Sequence, residues 1–103
     1  MPDLESRIAE LPEAKRHAEE LVELLSGSEL VAHAEGILAA LDLAETVEVE
    51  SDLDANLEEA ARGIHTLLGA LRTARRSGAL PAEVANGASR EVRALLREIA
   101  EVR

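Results

Sequence analysis

Apolar residues recur in alternating steps of four and three along most of this chain. Leu4, Ile8, Leu11, Lys15, Ala18, Val22 and Leu25 mark the first series, with a lysine in the fourth place. Leu53, Leu57, Ala60, Ile64, Leu67, Leu71 and Ala74 mark a second, and Pro81, Ala85, Ala88, Val92, Leu95, Ile99 and Val102 a third. A spacing of 3.5 residues turns one face of a helix toward partner helices. Strict period-two alternation occurs only in Thr46-Val47-Glu48-Val49-Glu50. The pattern predicts an all-α, antiparallel four-helix bundle in a single domain, 1–103, with helices over 3–26, 28–43, 52–77 and 81–103. The first helix is kinked or broken at Pro12, because the apolar phase runs on through a residue that cannot donate a backbone hydrogen bond.

Punctuation agrees with the periodicity. Ser26-Gly27-Ser28 separates the first two segments, with Ser28 placed to cap the second. Ser51-Asp52-Leu53-Asp54 has the form of a capping box. Arg75 and Arg76 suit the negative end of the third helix, which Ser77-Gly78 ends. Leu80-Pro81-Ala82-Glu83 opens the last helix, with Pro81 at its first position. Short turns force antiparallel neighbours, whereas the link 44–51 reaches either an adjacent or a diagonal place. Within that link the extended segment 46–50 has two uses. Val47 and Val49 cover the open end of the bundle, or Thr46–Glu50 pairs with itself across a dimer axis.

The second helix has more apolar surface than one bundle face needs. Its inward stripe is Leu30, Val31, Ala34, Ile37, Leu38 and Leu41. Its other side carries Ala32, Gly36, Ala39 and Ala40, where a surface helix carries charge. Ala32, Gly36 and Ala40 are four apart, a small-residue ridge that admits a second backbone. Gly63, Gly69 and Gly87 also lie inside helices, and each costs ~1 kcal/mol relative to alanine. The expected compensation is close packing within the subunit, contacts between subunits, or room for a ligand. Ala32, Gly36, Ala39, Ala40, Gly69, Val47 and Val49 are the expected interface, and a second copy of the chain is the expected partner.

Composition narrows the chemistry. The chain has no Phe, Tyr, Trp or Cys, and its apolar residues are Ala, Leu, Val, Ile and one Met. Aromatic stacking, aromatic cages, thiolates and disulfides are therefore excluded. The net charge is −10, so nucleic acid is not an expected partner; no apolar stretch approaches ~20 residues, so neither is a membrane, and a soluble, cytoplasmic protein is expected. Residues 1–60 hold 17 acids and 3 bases, residues 61–103 only 4 acids and 8 bases. Arg90, Arg93 and Arg97 line one face of the last helix, with Glu13, Glu20 and Glu23 of the first as expected partners.

No catalytic residue and no cofactor are expected. Lys15, the only lysine, would form Schiff bases if desolvated; packing at the flank of a Leu11, Ala14, Ala18, Leu21 stripe is the alternative. His17, His33 and His65 lack metal spacing among themselves, which argues against a three-His metal or a haem site. His33, one helical turn from Gly36, is the best-placed ligand candidate beside Lys15. Asn56 lies beside the third helix's seam and is either a register-fixing near-core residue or a solvated one; Asn86 is expected at the surface.

The heptads, the capping box, the short Gly/Ser turns and the Leu-Pro-x-Glu helix start resemble those of de novo designed helical bundles, over nearly the whole chain. Near-absence of lysine and the helix-interior glycines depart from that pattern. The resemblance implies a structural role, as a scaffold or self-assembling subunit, with an engineered small-molecule pocket as the alternative.

Overall fold

The computed structural model describes residues 3–103. Five α-helices occur in them: α1 (Leu4–Ile8), α2 (Leu11–Leu24), α3 (Val31–Ala44), α4 (Glu50–Ser77) and α5 (Ala82–Val102), with no strand among the described residues. The first two are the halves of one bent arm, so the architecture is the expected antiparallel four-helix bundle. The bend falls at Ala9–Glu10, and Pro12 sits in the first turn of α2, where a missing N–H is harmless.

Each helix packs on its two neighbours in chain order: α2 on α3, α3 on α4, α4 on α5, and α5 back on α2. Twenty-eight residues of α4 span ~42 Å at 1.5 Å per residue, which accounts for the 44 Å long axis. In α4 all seven seam residues from Leu53 to Ala74 are buried. In α5 the six from Ala85 to Val102 are buried, while Pro81 stays exposed as the residue before the helix.

The arm α1–α2 chooses between two phases. Leu11, Ala14, Ala18, Leu21 and Leu25 are fully buried, so Lys15 and Val22 flank the core. In α3 the buried residues are Ala34, Ile37, Ala40, Leu41 and Ala44, with Leu30, Val31 and Leu38 half-buried. Ala40 thus belongs to the core and not to an outer face.

Several local expectations are corrected. The capping box is not formed, because α4 begins at Glu50, one residue ahead of Ser51, after an extended Val49 with no side-chain cap. Nor is Thr46–Glu50 a strand. The Thr46 hydroxyl donates to the Leu43 carbonyl at 2.9 Å, finishing α3, and Glu50 is already helical. Only the covering role of Val47 survives: it packs partly against the core. Ser28 acts one step early, its hydroxyl accepting from the Leu30 N–H at 3.1 Å in the turn before α3. Gly78 ends α4 in the left-handed conformation (φ +77°), as its position after Arg75 and Arg76 suggests.

One polar side chain is nearly buried. Arg7, 8% exposed, donates from Nε to the Val102 carbonyl at 2.9 Å and from Nη2 to Asp54 at 2.5 Å. It ties α1 to the last turn of α5 and to the second turn of α4. Its place, three residues after Leu4 and four before Leu11, is on the apolar stripe, so the guanidinium fills a core position while its charge is met at the rim.

Candidate functional site

Ala32, Gly36, Ala39 and Leu43 follow one another by four, three and four residues and are all exposed. They share a single face of α3, turned away from the bundle. Leu43 is 60% exposed, and Val49 beside the α3–α4 turn is 50% exposed; these are the large apolar side chains most open to solvent. A Cβ built on Gly36 would meet nothing within 4 Å. Gly36 therefore serves no contact inside the subunit.

The outer face of α3 continues into a shallow cleft against α4, about 280 Å³, lined by Ala32, His33, Gly36, Ile37, Glu59, Arg62, Gly63 and Thr66. Gly63 is the tight point of the α3–α4 contact. A Cβ there would lie 3.0 Å from Ile37 Cγ1, so its missing side chain is what lets Ile37 seat. Gly69 is six residues on, about 240° around the helix, and stands alone on the open surface of α4. The fold brings together Ala32, His33 and Gly36, and leaves Gly69 and Ala40 apart from them.

Lys15 is in a different groove, between α2 and α3. Its Nζ lies 2.6 Å from Glu45 Oε1 and 2.7 Å from Asp42 Oδ1. Hydrogen bonds to these two carboxylates hold the ammonium above the ordinary lysine value. A Schiff-base lysine needs the opposite shift, toward the neutral amine; here two acids of α3 keep the proton on.

Two further contacts involve α2, one across the bundle and one within the helix. His17 Nδ1 lies 2.6 Å from Glu91 Oε2 in the α2–α5 groove, a pair 74 residues apart with no local signature. Arg16 is paired with Glu13 one turn before it, at 2.8 Å. That guanidinium holds the Glu13 carboxyl below the usual carboxylate range. Thus neither Glu13 nor Glu20 nor Glu23 forms an ion pair with Arg90, Arg93 or Arg97 among the described residues, in contrast to expectation. The cause is rotational: the α2 side of α5 carries Gly87 and Glu91, which meet Leu24 and His17, and the arginines point elsewhere.

His65 is exposed and His33 half-buried. No group of three or more His, Asp or Glu able to hold a metal ion occurs among the described residues. Asn56 is half-buried and bonds its own helix, donating to the Asp52 carbonyl at 3.0 Å, and Asn86 is exposed. No helix among the described residues is long and apolar enough to cross a membrane. Comparison with family models, with curated proteins and with solved structures finds no match to this chain.

Proposed function

We propose that the protein is a structural subunit that associates with copies of itself through the outer face of α3. The observation that carries this reading is the run Ala32, Gly36, Ala39 and Leu43, small and apolar, exposed along one helix whose opposite side already fills the core. A glycine inside a helix is costly, and Gly36 has no neighbour in its own subunit to require it. A ridge of small residues lets a second helix approach closely, and the same surface serves both sides of a twofold contact. The role also accords with the resemblance to designed bundles.

Light scattering coupled to size-exclusion chromatography tests this directly. A mass that is a multiple of 11.0 kDa at micromolar concentration is expected, and a strict monomer overturns the proposal. Gly36→Leu should return the mass toward that of one chain, because the new side chain fills the ridge from a position where a Cβ meets nothing in the fold.

A second reading, a small-molecule site, rests on the cleft that joins His33 to Gly36 and Gly63. The same variant separates the two. A pocket loses its ligand with the assembly unchanged; an interface comes apart.

A further inference from the structure

Three arginines of α4 and α5 stand apart from the acids that could neutralise them. Arg7, Arg16 and Arg62 each have a carboxylate partner. Arg72, Arg75 and Arg93 have none among the described residues, in a chain with 21 acidic residues to draw on. These three line one cleft between α4 and α5, of about 270 Å³, with Leu68, Leu71, Ala85 and Ser89 as the remaining lining. No acidic residue lines it. Ser89 is half-buried, and its hydroxyl has no protein partner among the described residues, unlike that of Thr73, which is bound to the Gly69 carbonyl at 3.2 Å.

Local helix electrostatics explain part of this arrangement. Arg75 is in the last turn of α4, where the dipole favours a cation. The same argument does not reach Arg72, a turn earlier, or Arg93, in the middle of α5. Three exposed arginines from two helices thus share one hollow that has no carboxylate in its lining. Guanidinium groups present paired donors that match phosphate oxygens, and a free hydroxyl adds one more donor.

We propose that the Arg72–Arg75–Arg93 cleft binds a compact phosphate-bearing anion, with Ser89 as an additional hydrogen-bond donor. Compactness follows from the charge map. The cleft has no acidic residue in its lining, whereas most of the chain's acidic residues lie in its first 60 positions. A long polyanion would run onto the acidic surface.

Pyrophosphate is the probe. Calorimetry at low ionic strength should show saturable binding of one pyrophosphate per chain, with a rise in the thermal midpoint. Arg72→Gln and Arg93→Gln should each weaken binding at least about fivefold, as expected when one charge-assisted contact is lost. Arg62→Gln, on the other flank of α4, should leave it unchanged. Circular dichroism checks that each variant keeps its helix content. Co-sedimentation with vesicles containing phosphatidic acid distinguishes a lipid headgroup from a free phosphate as the source. Absence of saturable binding at ~10 mM pyrophosphate, or undiminished binding by the folded Arg72→Gln/Arg93→Gln double variant, overturns the proposal. So does retention of duplex DNA through the same arginines. The mass of the wild-type assembly is measured separately, so failure here leaves the self-association reading standing, and the reverse.

Discussion

Helices α5 and α3 draw on the same aliphatic residue types but use them differently. In α5 every buried position is aliphatic, and the exposed positions are mostly Glu and Arg. In α3 the exposed side holds Ala32, Gly36, Ala39 and Leu43 in one row, with Glu35 and Asp42 as its only exposed charges. The first is a helix whose surroundings are complete within one chain. The second has a face that its own subunit does not use. Composition is shared; the placement of charge separates a finished helix from an unfinished one.

The largest expected effect tests the finished half. Ile64→Ala in α4, at a fully buried site, should cost ~2–5 kcal/mol of stability by urea denaturation. Leu43→Ala, the same kind of truncation on the open face of α3, should change the unfolding of the isolated chain by under ~0.5 kcal/mol. Equal losses at the two sites would erase the contrast.

A smaller effect comes from the glycines. Gly36→Ala and Gly69→Ala add a methyl group to space that is empty within one chain, so each should stabilise the dissociated chain by ~0.5–1 kcal/mol in thermal or urea melts. Gly63→Ala places its methyl 3.0 Å from Ile37 Cγ1, and any gain in helix propensity is offset by displacing Ile37. Gly63→Ala should therefore stabilise less than Gly36→Ala. The reverse order would mean that α3 and α4 are not in the contact described.

The smallest effect belongs to Lys15. Its side chain is 26% exposed, and its partner Asp42 is 55% exposed, so solvent screens the pair and Lys15→Met should cost under ~1 kcal/mol. The pH dependence has a definite sign. A lysine held above its ordinary value of 10.5 contributes fully below that pH and loses the contribution only as pH rises through the higher folded value. The difference between wild type and Lys15→Met should thus stay constant from pH 7 to about 10 in thermal melts, and a decline within that window would show the lysine to be titrating.

The sequence made α4 and α5 legible because charged residues mark their outer sides and leave one stripe to bury. In α3 only Glu35 and Asp42 mark the outer side, and they lie at its edge beside Ala32 and Ala39, so the small residues left the boundary at Ala40 open. Two stripes competed in α2, Leu11–Lys15–Ala18–Val22 against Leu11–Ala14–Ala18–Leu21. The second is buried, since the lysine reaches carboxylates 27 and 30 residues away, Asp42 and Glu45. Contacts such as His17–Glu91 and Arg7–Val102 depend on how helices face one another across the bundle, which a single-helix pattern does not encode. The unpaired arginines were visible as a face of α5. Their company with Arg72 and Arg75 required knowing which neighbour that face meets.

Gly63 acts as a detent for α3. Sliding that helix by one turn, ~5.4 Å, would move Ile37 off Gly63 and toward Glu59 or Leu67, which carry the side chain that Gly63 lacks. A vacancy one methyl group wide thus selects the axial alignment of two helices whose aliphatic stripes would otherwise mesh at several settings.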